Sequence, residues 1–320
     1  MHTIQDVYKF YCNTLMPDIN ELELKRKKVA GNLFTIGILF AGLVFLFEGI
    51  LFKIGVADIT IYGLVALAGA VIYGFVFHLQ TRNYKCDFKL KIINPLVKFI
   101  NPALNYEPQA CVPMDVFKAS GLFRQRVDRY RGDDFVFGVM DKTEIAFSEL
   151  HAEYETRDSK GNRHYHTVFK GLFFTADFNK DFKGTTFVLP DRAEKLLGSI
   201  GSMFQKANKT RGDLVQLEDP AFEKEFAVYS DDQIEARYIL SHSLMTRILE
   251  FKNKSKKRIS IAFRNSNVYV AIPYVKDLFE PRVFCTLIDF EPIKDYYHDL
   301  SLAVSIVEDM NLNTRIWSKE

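Results

Sequence analysis

The sequence predicts a membrane-anchored α+β protein: a two-helix transmembrane hairpin, then a cytosolic domain with a mainly antiparallel sheet and flanking helices. Three observations predict it. Two apolar stretches stand near the start, LFTIGILFAGLVFLFEGILF at 33–52 and ITIYGLVALAGAVIYGFVFHL at 59–79. Further on, short runs alternate apolar with polar residues between polar turns, as half-buried strands do. Neither regular strand–helix alternation nor the glycine loop of a doubly wound nucleotide fold occurs.

The 320 residues suffice for one substantial domain plus extras. Hydrophobic residues at 48% and charged residues at 26% are ordinary for a folded chain, and 29 Phe with 15 Tyr favour strands and membrane contact over disorder. A net charge of +2 gives no global field for nucleic acid. Cys12, Cys86, Cys111 and Cys285 form no CxxC, which argues against a zinc site or a disulfide framework and suits a reducing compartment.

Residues 1–31 read as amphipathic cytosolic helices. Ile4, Tyr8, Tyr11 and Leu15 share a helical face. Pro17 is expected to end that helix and to open a second, PDINELELKRKK, that runs into the first span. Residues 32–80 form the hairpin, since each apolar stretch is about the 20 residues needed to cross a bilayer. The first stretch starts too late for a cleavable signal peptide. Lys25, Arg26, Lys27 and Lys28 precede the spans, Arg82, Lys85, Lys89 and Lys91 follow them, and Lys53 alone lies between. That pattern puts both termini in the cytoplasm and makes the eight flanking bases candidates for anionic-lipid contact. Ala66, Ala70 and Gly74 form a small-residue stripe suited to helix packing, within the hairpin or in a homo-oligomer. Glu48 lies near enough to the outer interface to reach water.

Residues 81–110 read as a basic juxtamembrane linker. INP occurs twice, at 93–95 and 100–102, so short broken segments are expected. Phe88, Ile92, Leu96 and Phe99 form an apolar stripe that fits a lipid surface or the soluble domain equally well.

Residues 111–320 form the α+β domain. Residues 115–130 look helical. DDFVFGVM and TEIAFSELHAEYE read as strands around the turn DK, and HYHTVFKGLFFTADF returns after the loop TRDSKGNR. GTTFVLPD is a strand and RAEKLLGSIGSMFQKA a helix; DLVQL and FAVYS are strands, DDQIEARYIL and SLMTRILEFK helices. KRISIAFRNSNVYVAIPY is a hairpin around Asn265–Asn267, and 294–312 is helical.

The chemistry comes in fragments. Asp177, Asn179 and Asp181 alternate as calcium-loop ligands do, but the sixth and twelfth positions are Phe182 and Val188, where that loop needs Gly and Glu. A turn is the better reading. His164 and His166 alternate on one strand, with His151 on the strand before it near Glu153 and Glu155; these three are the candidate metal ligands. RGD occurs at 131–133 and 211–213, each before a strand, and reads as a turn. KNKSKKR at 252–258 is a solvated loop or a contact to anionic lipid. No Walker loop, GxSxG or Cys/His nucleophile signature is present, and no cofactor is implied. In LEDPAFEKEFAVYSDDQIEARYIL, Asp219 should cap a helix and Phe222 and Phe226 should be buried. Ser230 should cap the next helix with Gln233, and Ile234, Tyr238 and Leu244 should face inward.

FKGLFFTADFNKDFKGTTFVLPD followed by LVQLEDPAFEKEFAVYSDDQIEARYILS strongly resembles a bacterial family catalogued as domain of unknown function 3137. The resemblance implies an inner-membrane protein with two spans and a soluble domain, and carries over no catalytic residue. Two readings stay open: a binding or scaffold module that recognises a protein partner or the membrane surface, or a membrane-tethered hydrolase or metal-dependent enzyme using the His, Asp and Glu strand faces.

Overall fold

A computed structural model describes residues 2–56, 58–178, 182–190, 211–310 and 312. The chain divides into two compact units. One joins His2–Leu96 with Phe279–Tyr297; the other joins Val97–Leu278 with His298–Glu320.

The first unit is helical. Helix α1 (Ile4–Phe10) opens with a reciprocal cap between Thr3 and Asp6. Pro17 does not end the helix, contrary to expectation. A π-turn, Tyr11–Leu15, leads straight into α2 (Met16–Lys53), with the Met16 N–H reaching the Tyr11 carbonyl. The wider turn spreads the carbonyls just where proline lacks an N–H and its ring would clash. The same device recurs at Pro95. After α3 (Ile59–Phe88), a π-turn at Lys89–Ile93 connects to α4 (Asn94–Ile100), and the Asn94 N–H meets the Lys89 carbonyl. The exit from the second apolar stretch is therefore continuously helical; only the second INP ends it.

Helices α2 and α3 meet where side chains are small. A Cβ on Gly69 would lie 2.7 Å from Val44 Cγ2, and the Gly37 position faces the Tyr73 ring at 3.4 Å. Elsewhere the apolar surface is bare: Phe45 is 77% and Phe52 80% exposed. Of the most apolar windows of the two helices, 6% and 0% lies inside the protein. Both helices are thus long and apolar enough to cross a bilayer.

The second unit is a nine-stranded antiparallel sheet of order β1-β2-β3-β4-β9-β8-β5-β7-β6. Its strands are β1 (Leu104–Glu107), β2 (Arg129–Met140), β3 (Thr143–Arg157), β4 (Arg163–Asp177), β5 (Thr185–Pro190), β6 (Asp213–Leu214), β7 (Phe226–Ser230), β8 (Ser260–Arg264) and β9 (Asn267–Pro273). The helices are α5 (Met114–Ala119), α6 (Pro220–Glu225), α7 (Gln233–Ile239), α8 (His242–Ser255) and α9 (Phe290–Asp309), the last divided between the two units.

One row of directly opposed residues crosses eight strands: Tyr106, Val136, Phe147, Phe174, Val270, Ile261, Val188 and Val228. All are buried. On the other face, Leu150, Phe173, Phe187 and Tyr269 share a cluster with Phe117 of α5. Both faces of the sheet are thus used, which suits an α+β layer fold. The expected helix over 115–130 stops at Ala119, because Gly121 turns left-handed at φ +66°, and no element follows until Arg129. The β8–β9 hairpin turns at Asn265 and Ser266, both at positive φ, as foreseen. Strand β1 was not foreseen, and DLVQL yields only Asp213–Leu214. Asn179, Asp181 and the expected helix at 192–207 lie outside the described residues.

Candidate functional site

The three histidines have separate partners. His151 Nε2 is 3.5 Å from Thr167 Oγ1 and 3.6 Å from Glu153. His164 faces Asp158 at 3.5 Å. His166 contacts Thr156 at 2.8 Å and stacks on Tyr154. The one metal-capable group of three found among the described residues contains no histidine: it is Asp133, Asp134 and Glu149, whose oxygens lie within 4.8 Å of one another.

A bulge builds this cluster. The β2–β3 register shifts between Asp133 and Val136, and Asp134 sits at φ +59°. Asp133 stands opposite Glu149, and the extra residue turns Asp134 toward the same spot. The first RGD is therefore inside a strand rather than in a turn. Its glycine is required there, because a Cβ at position 132 would lie 2.3 Å from the Glu149 carbonyl. Tyr106 donates its hydroxyl to Asp134, and the Leu278 N–H donates to Glu149 at 2.8 Å. Burial pushes the Glu149 carboxyl up to about 7, against the pull of the Leu278 N–H, with Asp133 and Asp277 adding to the rise. Such a group can hold a proton near neutrality or a hard cation.

The block at 217–245 is built largely as expected. Asp219 caps α6, accepting from the Ala221 and Phe222 N–H groups. Phe222 and Phe226 are buried with rings 5.0 Å apart. The cap of α7 differs: Asp232 accepts from Ile234 and Glu235, while Ser230 ends β7 and donates to the Thr185 carbonyl. A cap two residues later rotates the helix by about 200° relative to the expected face. Hence Ile234 and Tyr238 are exposed, and Ala236 and Ile239 are buried instead; Leu244 is buried as expected. Asp231 and Glu235 accept backbone N–H groups from Thr185 and from Lys183 and Gly184. The acids of this block clamp the approach to β5.

Residues 167–312 match the family model described as Protein of unknown function (DUF3137). The match covers a little under half of the chain. The DUF3137 region begins within β4 and takes in β5–β9 and α6–α9; the apolar helices and β1–β3 lie outside the match. A solved structure, the mycobacterial trehalose monomycolate transport factor A, TtfA, is similar over 65% of this chain and 90% of its own, at 10% identity and a TM-score of 0.30. No curated protein matches the chain.

Two clefts open in the DUF3137 region. One, of about 500 Å³, lies where His242 approaches Asp219 at 3.7 Å, and Glu218 and Arg237 give it mixed charge. The other, of about 390 Å³, is lined by Lys252, Lys256, Lys257 and Arg258 with Glu225.

The flanking bases of the helical unit are mostly engaged within it. Arg26 pairs with Glu23 and donates to the Val283 carbonyl, and both are buried. Lys85 and Lys89 both pair with Glu280, and Lys89 is buried. Lys25 pairs with Glu21 and Asp87, Lys91 with Asp18 and Glu21, and Lys27 approaches Glu23 at 3.9 Å. Lys28 and Arg82 are exposed. Ala66, Ala70 and Gly74 are also exposed, on a different side of α3 from the Gly69 contact with α2.

Proposed function

We propose that this protein is anchored in the bacterial inner membrane by the α2–α3 hairpin, with both termini cytoplasmic, and that its sheet domain is a binding or scaffold module for a protein partner. The observation that carries the anchoring is the bare apolar surface of two adjoining helices. The binding role is supported by the clefts of the DUF3137 region, where charged side chains meet apolar walls and the acids of the block serve as caps and clamps. Alkaline carbonate extraction tests the anchor: the full chain should stay with the membrane, and a chain lacking 32–80 should be released. Crosslinking in native membranes, with probes at exposed Ile234 and Tyr238, should give one discrete protein adduct; its absence would remove the scaffold role.

A second reading, a membrane-tethered metal-dependent enzyme, is favoured by Asp133, Asp134 and Glu149 rather than by the histidines. It requires stoichiometric metal in the purified full chain. A preparation without metal that still binds its partner excludes it.

A further inference from the structure

The run KNKSKKR closes helix α8 with five bases, and they are not equivalent. Lys252 is held by Glu225 at 2.7 Å and Lys254 by Asp309 at 2.8 Å. For Lys256, Lys257 and Arg258 no carboxylate lies within ion-pair distance among the described residues, and all three line the 390 Å³ cleft. Four cations and one carboxylate give that lining a net charge of +3. The wall beneath them is apolar, with Phe226 and Ile259 buried. A cavity of this size admits a small organic group as well as an ion.

One of the cations is held in place. The Lys257 ammonium sits 4.4 Å over the Tyr274 ring, and the Tyr274 hydroxyl faces Asp299. Lys256 occupies the left-handed position after the helix, φ +53°, which glycine fills at least cost in most helices. The carbonyl end of α8 helps hold the cations together against their mutual repulsion.

We propose that this cleft binds a phosphate-bearing anion, with the Arg258 guanidinium taking two phosphate oxygens and the Lys256 and Lys257 ammoniums the remaining charge. A soluble phosphate ester and a lipid phosphate headgroup share this chemistry. The site names a ligand class for the binding module and rests on that reading only for the domain's role; the cleft needs neither membrane nor partner to be tested.

The full chain is purified in maltoside micelles without phosphate. Inorganic phosphate is then titrated calorimetrically, and acetylation of Lys256 and Lys257 is followed by mass spectrometry, with exposed Lys160 as reference. A parallel arm uses phosphatidylcholine discs with and without phosphatidylglycerol as one lipid in three. Several-fold protection of Lys256 and Lys257, with Lys160 unchanged, is the expected result. Protection by phosphate in micelles assigns a soluble ester; protection only in the phosphatidylglycerol discs assigns a headgroup. The combined Lys256→Gly, Lys257→Gln and Arg258→Gln variant should bind whichever probe protects at least tenfold more weakly. Its glycine suits the left-handed turn, and thermal unfolding checks its fold. No protection in either arm, equal protection of Lys160, or a folded variant that binds as tightly as the parent would overturn the site. Loss of carbonate-resistant retention would overturn the anchor alone and leave these outcomes standing.

Discussion

Glu149 shows how one residue can separate two accounts of a site. It is 6% exposed and its carboxyl is pushed up to about 7, above the ordinary 4.5, chiefly by burial. A carboxyl whose folded value is raised favours the folded state while protonated. That contribution is complete below the unfolded value of 4.5 and is lost as pH rises to about 7. Glu149→Gln keeps an acceptor for the Leu278 N–H and removes the charge. Chemical denaturation of the full chain in detergent at pH 8 should show it more stable than the parent by about 1–3 kcal/mol, with the advantage gone near pH 4.5. If the carboxylate instead held a cation, the substitution would destabilise the protein at pH 8 and release metal. Asp232 makes a smaller point. It replaces Ser230 as the cap of α7, so Asp232→Ala should cost about 1 kcal/mol rather than nothing. An unchanged unfolding midpoint would return the cap to Ser230.

At the scale of elements, glycine positions report where backbones touch. Gly171 lies in β4 at φ +148°, and a Cβ there would sit 2.2 Å from the Ile272 carbonyl of β9. The neighbour is backbone and has nowhere to go, so Gly171→Ala should cost about 3 kcal/mol or more. Gly74 meets nothing within 4 Å and is exposed on α3. Gly74→Ala should therefore stay within about 0.5 kcal/mol of the parent in thermal unfolding. A large loss at position 74 with unchanged α2–α3 packing would mean that a second copy covers that stripe. Elements whose cause is local were legible in the sequence: β7, β8 and β9 from alternation, the turn at Asn265–Ser266 from its residue types, the two long apolar helices from unbroken hydropathy. The π-turns before Pro17 and Pro95 were not, because proline alone does not say whether the helix before it will end or widen. Nor was the strand order, in which β4 pairs with β9 and β5 with β8 across long gaps in the chain. The acid cluster was hidden for the same reason: its third member comes from a bulge that changes no residue type.

At the scale of the whole molecule, the basic flanks carry two ideas that the structure separates. As lipid contacts, Arg26 and Lys89 are poor candidates, being buried and paired with Glu23 and Glu280 respectively. As topology signals they are unaffected, because orientation follows the count of Lys and Arg in the short flanks, whatever ion pairs form once the chain has folded. Four bases at 25–28 and Arg82, Lys85, Lys89 and Lys91 stand against Lys53 in the connection. The helices fit this route: α2 ends at Lys53 and α3 starts at Ile59 under an Asp58 cap, so the connection is a short turn with Gly55 at φ +84°. An enzyme active only outside the cytoplasm should therefore be active when inserted at Gly55 and silent when fused after Glu320. Replacing Lys25, Arg26, Lys27 and Lys28 with Gln while adding lysines beside Lys53 should weaken that contrast, since it removes the imbalance that sets it. Activity after Glu320 with silence at Gly55 would put the sheet domain on the far side of the membrane, and the cytoplasmic reading of its binding role would fall with it.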